Sequence, residues 1–154
     1  MLRIGERRLE IAAPLGRCVE QVPERVHQVH VAVLLVGVVV GDAPEGFAIS
    51  LTGKLAVAVL LRGSNNANTE WFYNRNGSVV VLRIDGKKVT KIGEVEVRGL
   101  PEGAVFSTDG RWLYVGNFLD EDVSVLRVDG ETVINTGTLL KLPGKPASMR
   151  GRTQ

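Results

Sequence analysis

An eleven-residue segment occurs twice in this chain without a gap. Pro44-Glu45-Gly46-Phe47-Ala48-Ile49-Ser50-Leu51-Thr52-Gly53-Lys54 returns, with substitutions, as Pro101-Glu102-Gly103-Ala104-Val105-Phe106-Ser107-Thr108-Asp109-Gly110-Arg111, 57 positions later. Further on, Val81-Leu82-Arg83-Ile84-Asp85-Gly86 returns as Val125-Leu126-Arg127-Val128-Asp129-Gly130, only 44 positions later. The offset shrinks by 13 residues, so the first copy holds an insertion, and the polar stretch Arg62 to Asn76 is where it fits. A third copy opens at Pro146, 45 positions after Pro101, and stops at once. Repeats of this length belong to folds in which one supersecondary unit buries its face against the next.

Each copy carries the same strand signals. In the second, Ala104 to Ser107 meets the turn Thr108-Asp109-Gly110, and Trp112 to Val115 follows as an aromatic and β-branched run. The loop Asn117 to Asp122 leads to Val123 to Val128, and Asp129-Gly130 signals a tight I′-type turn into Thr132 to Leu142. Asp85-Gly86 does the same in the first copy, because glycine enters positive φ without strain. Four antiparallel strands per repeat is the pattern of a β-propeller blade. The expected fold class is therefore all-β: a partial β-propeller of about two to three four-stranded antiparallel blades, near residues 44–100 and 101–145 within a segment 34–154, with an unassigned N-terminal segment. An incoming strand is expected at about Leu35 to Val40.

Pro101-Glu102-Gly103, Thr108-Asp109-Gly110, Leu113-Tyr114-Val115-Gly116-Asn117 and Val123-Ser124-Val125-Leu126 together resemble the YVTN-type repeat of the lactonase-like β-propellers. That family includes bacterial 6-phosphogluconolactonases and many exported repeat proteins. The resemblance covers roughly Leu35 to Met149. It implies a ring of about seven blades, of which this chain resembles the C-terminal portion. The implied location is outside the cytoplasm for many members, although no convincing signal peptide is seen in this chain.

Composition adds exclusions. Of 154 residues, 44% are hydrophobic, enough for a core. Nineteen basic residues against 17 acidic leave a net charge of +2 without a concentrated basic stripe, so no nucleic-acid partner is expected. The apolar run Val31 to Val40 is about half a bilayer-spanning helix, and no membrane partner is expected. Its reading as a signal-peptide core conflicts with Glu6, Glu10, Glu20 and Glu24 upstream and with the lack of a small-x-small cleavage site. Cys18 is the only cysteine, so the chain forms no internal disulfide.

Residues 1–33 fit no blade position. They hold five Arg and no Lys, against eight Arg and six Lys in the rest, and no Asp-Gly turn. They are expected to be a non-native or disordered leader, the remains of a truncated or misassigned reading frame. Val19, Val22, Val26, Val29, Val33 and Val36 follow helical spacing, while Val29, Val31 and Val33 also alternate as in a strand.

No catalytic constellation stands out. His27 and His30 lack the accompanying ligands a zinc site needs, so no metal site and no cofactor are expected. Ser50, Ser107 and Ser148 sit at repeat positions without a nucleophile-elbow motif and are expected to be turn serines. In a propeller whose blades are lettered strand A to strand D in chain order, the D-to-A crossovers between blades and the B-to-C loops within them share one face, which places Glu45 and Glu102 toward a common rim. Either they bind a cation or polar ligand there, or they are solvated turn carboxylates. Asp120, Glu121 and Asp122 are expected to form a solubilising loop rather than a metal site. Trp71, Phe72 and Tyr73 stand together in the Asn/Ser/Gly-rich insertion, either as contact anchors or folded back over the blade edge, with Arg75 beside them to pair an anionic ligand or to be solvated.

Three readings of function follow. A ligand- or protein-binding scaffold leads, because propeller faces carry such sites and no acid-base or nucleophile set is visible. A lactone hydrolase similar to 6-phosphogluconolactonase is implied by the resemblance alone. A non-functional truncated remnant is the third. The terminal blade faces, with rows at Leu55 to Leu60 and Val79 to Leu82, are expected to be exposed, which implies self-association or pairing with another propeller segment.

Overall fold

The computed structural model describes residues 38–151, and among them every regular element is a β-strand. The strands are β1 (Pro44–Ile49), β2 (Leu55–Leu60), β3 (Ser78–Asp85), β4 (Lys88–Glu96), β5 (Pro101–Phe106), β6 (Trp112–Asn117), β7 (Asp122–Asp129) and β8 (Thr132–Lys141). They form two four-stranded antiparallel sheets, ordered β1-β2-β3-β4 and β5-β6-β7-β8. These are the two expected blades. The leader, Cys18, both histidines and the valine stripe from Val19 to Val36 lie outside the described residues.

The two sheets repeat one another in detail. Each has a bulge early in its first strand, at Pro44/Phe47 and Pro101/Gly103, and another between its third and fourth strands, at Val81/Leu82 and Val125/Leu126. The loop between β2 and β3 spans residues 61–77 and that between β6 and β7 residues 118–121, a difference equal to the 13 by which the sequence offset shrinks. The serines act as expected at the first hairpin of each blade. Ser50 Oγ accepts from the Leu55 amide at 3.1 Å, and Ser107 Oγ accepts from the Trp112 amide at 3.0 Å. Ser107 also donates to Asp109, which with the Arg111 amide holds the Asp109 carboxyl down at about 2.

One turn assignment changes. Asp85 pairs with Lys88 and Asp129 with Thr132, so the central residues are Gly86-Lys87 and Gly130-Glu131. Only the glycines have positive φ, 56° and 61°. A single positive φ at the first central position is a II′-type turn, not the I′ type expected.

The core lies between the sheets. Successive side chains of a strand point to opposite faces, so Leu55, Val57 and Val59 of β2 join Val79 and Val81 of β3 on one face. They pack with Leu113, Val115, Leu126 and Val133 of the second blade. The opposite face of the first blade, Ala56, Leu60, Val80 and Leu82, is also buried, and Val38 and Val40 pack against it. The expectation that Leu55–Leu60 and Val79–Leu82 are exposed is thus overturned: every residue in both runs is buried. β2 has no polar residue to turn toward water, as in a strand covered on both faces. Val38 and Val40 pack without joining a sheet and Val39 is exposed, so this described part of the expected incoming strand is not a strand.

The residues after β8 imitate a further repeat. A Cβ added at Gly46 would lie 2.9 Å from the Glu102 carbonyl oxygen, as the inner strands of the two blades pass each other. A Cβ at Gly103 would lie 2.8 Å from the Met149 amide nitrogen, and one at Gly116 would lie 3.1 Å from both Pro146 Cβ and Met149 Sδ. Pro146 to Met149 therefore runs past the second blade as Pro101 to Gly103 runs past the first, without being hydrogen-bonded into a sheet.

Candidate functional site

The loops at one end of the blades are tied to each other by backbone hydrogen bonds. Phe118 and Leu119 donate to the carbonyls of Leu100 and Gly99, Gly77 donates to Arg98, and Leu142 donates to Glu121. The Leu100 amide donates to Ser64 Oγ at 3.0 Å, joining the insertion to the crossover between the blades. Both B-to-C loops and the D-to-A crossover thus form one rim.

A charged network lies within that rim. Asp122, whose side chain is 0% exposed, accepts from Arg98 at 2.5 Å, from Lys141 at 3.1 Å and from Asn117 at 2.8 Å. Asp120, 4% exposed, accepts from Arg98 at 2.7 Å, from Arg75 at 2.5 Å and from the Gly99 amide at 2.8 Å. Burial alone would push the Asp120 carboxyl up, but the hydrogen bonds from Arg75 and Gly99 outweigh it and hold it below the usual carboxylate range. The expectation that Asp120 and Asp122 belong to a solubilising loop is corrected: only Glu121 of the three is exposed, and the two aspartates clasp the blades. Arg75 pairs with Asp120 and its guanidinium packs over Gly99, which has no side chain to exclude it.

The insertion is a chain of tight turns. The amides of Ser64, Asn66, Glu70 and Tyr73 each donate to the carbonyl three residues earlier, all at 3.0 Å. Asn74 Nδ2 donates to the Arg62 carbonyl at 2.8 Å, closing the loop across its base. Gly63, at φ 84°, packs against the Phe72 carbonyl, where a side chain would collide. These constraints hold the Trp71 and Phe72 rings edge to face, centroids 5.3 Å apart and planes at 85°. Trp71 is 92% exposed and Phe72 41%, so the pair does not fold back over the blade edge. Beside them a cleft of about 480 Å³ is lined by Gly41, Asp42, Leu60, Arg62, Trp71, Phe72, Asn74 and Glu94. Hydrogen bonds from Lys91 and then Ser78 hold the Glu94 carboxyl below its usual range, so it is anionic at neutral pH.

Glu45 and Glu102 occupy the inner strands. Burial, and then the charge of Glu45, push the Glu102 carboxyl up. Neither glutamate lines the Trp71 cleft, and Tyr73, half-buried, does not line it either. The residues that sequence reasoning named therefore fall into three places: Trp71 and Phe72 at the cleft, Arg75 in the aspartate clasp, and Glu45 with Glu102 on the inner strands. Asp42, Arg62, Asn74 and Glu94 were missed; the cleft draws them from the segment before β1, the insertion and β4. Among the described residues no cluster of three or more His, Cys, Asp or Glu side chains is placed to hold a metal ion.

Solved structures share this architecture. A putative 6-phosphogluconolactonase from Bacteroides fragilis matches 68% of the chain with a TM-score of 0.56 and 16% sequence identity. A putative 6-phosphogluconolactonase from Bacteroides uniformis matches 71% with a TM-score of 0.56 and 17% identity. The chain spans 27% and 30% of the length of these two proteins. No protein-family profile and no curated protein matches the sequence. The likeness is one of fold alone: two consecutive four-stranded β-propeller blades.

Proposed function

We propose that these two blades of lactonase-like propeller fold form a ligand-binding module whose contact surface is the rim. The observation that carries this reading is Trp71, a large apolar side chain held almost fully in solvent by a turn-locked insertion. Exposing a large apolar side chain forgoes about 1.5–3 kcal/mol of burial, of which the edge-to-face contact with Phe72 returns about 0.5–1.5 kcal/mol. Exposed aromatic residues on rigid loops are the common anchors of binding surfaces. The adjacent cleft, with both carboxylate and guanidinium groups on its wall, supplies the polar contacts that orient a ligand. The test is a calorimetric screen of small charged, zwitterionic and neutral compounds against the chain and its Trp71→Ala variant. Saturable binding that the substitution removes, with unfolding unchanged, supports the reading. Binding indifferent to Trp71 contradicts it.

A second reading rests on Glu102. A carboxyl raised by burial and by a neighbouring glutamate is suited to proton transfer nearer neutral pH, as lactone hydrolysis requires. Hydrolysis of 6-phosphogluconolactone by the purified chain, lost in Glu102→Gln, would establish it. Equal rates for the two proteins would remove it.

A further inference from the structure

We infer that the corner between Trp71 and Phe72 binds a quaternary ammonium group, a compact cation with a methylated surface. The inference rests on the binding reading above and names its ligand class. Two aromatic planes at 85° with centroids 5.3 Å apart leave a right-angled corner in which the face of one ring is free and the face of the other is partly covered by its neighbour's edge. A π face carries negative quadrupolar potential, and a cation seated in the corner stacks on the free face and touches the rim of the covered one. A flat ring can stack on only one of them, because the other wall stands across its edge. Methyl groups on nitrogen spread the charge over an apolar surface, so such a cation loses less hydration on leaving water than a bare ammonium does.

The wall of the cleft has the matching charge. Asp42 and Glu94 place two carboxylates there; Glu94 is paired with Lys91 at 2.8 Å, and Asp42 is in no ion pair among the described residues. The one cation among the lining residues, Arg62, has its guanidinium 3.8 Å from Glu96, which offsets its charge from outside the cleft. The volume of about 480 Å³ admits a trimethylammonium head with a short substituent, within the range of about 300–1,000 Å³ usual for small-ligand pockets. The loop that presents the corner is fixed before any ligand arrives, by Asn74 holding the Arg62 carbonyl and by Gly63 beneath Phe72. Little ordering is left for binding to oppose.

The experiment compares choline with 3,3-dimethylbutan-1-ol, which has the same shape and no charge, by calorimetry on the full chain at matched ionic strength. Choline is expected to bind about two- to fivefold more tightly than the alcohol, which corresponds to about 0.5–1 kcal/mol for a cation–π contact at an exposed site. Trp71→Ala should abolish saturation, Trp71→Phe should retain part of it, and Asp42→Asn should weaken it about threefold. Equal binding of choline and the alcohol overturns the cation inference and leaves the binding reading standing. Absence of choline binding, with another screened compound bound in a Trp71-dependent way, has the same meaning. No compound responding to Trp71→Ala overturns both. Since Trp71 is in solvent, the variant is expected to unfold at the parent temperature; a lowered midpoint would contradict its placement.

Discussion

Arg98 donates to Asp122 across 2.5 Å, joining the crossover after the first blade to the start of β7 in the second. Asp122 has no exposed side-chain surface, whereas Arg98 is 36% exposed. The two sides of the pair are therefore unequal. Asp122→Ala leaves an arginine that still holds Asp120 and can be rehydrated, so its cost falls in the range of charged hydrogen bonds, about 1.5–3 kcal/mol. Arg98→Ala leaves a buried carboxylate with only Lys141 and Asn117 as partners, and its cost approaches the range of about 3–5 kcal/mol for a broken buried pair. Urea unfolding of both variants checks the order. A larger loss for Asp122→Ala would contradict the account.

The pH response separates two carboxylates. The folded-state pKa of Asp120 is depressed, so its contribution is present above the unfolded value near 3.9 and is lost as pH falls below it. The folded-state pKa of Glu102 is raised, which has the opposite sign: stability is lost as pH rises from the unfolded value near 4.3 through the folded one. Glu102→Gln should therefore raise the thermal midpoint at pH 7 and leave its relative advantage smaller at pH 4. A variant less stable than the parent at pH 7 would show that Glu102 makes a stabilising contact as a carboxylate.

Gly86 and Gly130 have positive φ and open space where a side chain would project, so a substitution there tests backbone strain alone. Valine at either position is expected to cost about 1–2 kcal/mol or more, because a β-branched residue is disfavoured at positive φ. Gly144 also faces open space but has no positive φ, and Gly144→Val should be close to neutral. Thermal unfolding of the three variants compares them directly. An unchanged midpoint in both turn variants would remove the II′ assignment.

The repeat made the blades legible because each strand junction is marked by a residue with a local physical role: glycine at positive φ, serine closing a hairpin, valine alternating over two faces. Turn type was not legible in the same way. It depends on whether Asp85 pairs with Lys88, and pairing register is a property of two strands rather than of the Asp-Gly dipeptide. The aspartate clasp was missed for a similar reason. Asp120 and Asp122 stand in a polar segment that resembles any solvated loop, while their partners Arg75 and Arg98 lie 45 and 22 to 24 residues earlier. The sequence also left Trp71 balanced between anchor and local burial. The deciding facts are the turns of residues 61–77, which no residue type at position 71 reveals.

Burial of the valine rows carries the account of two blades packed on each other, and amide hydrogen exchange read peptide by peptide tests it most directly. Segments 55–60, 79–82 and 123–126 should exchange together and slowest, through global unfolding, because they contribute to one core. The insertion at residues 65–74 should exchange orders of magnitude faster while keeping its Trp71 surface. Exchange of segment 55–60 at the rate of the insertion would mean that the first blade is not held against the second, and would contradict the fold on which the rim depends.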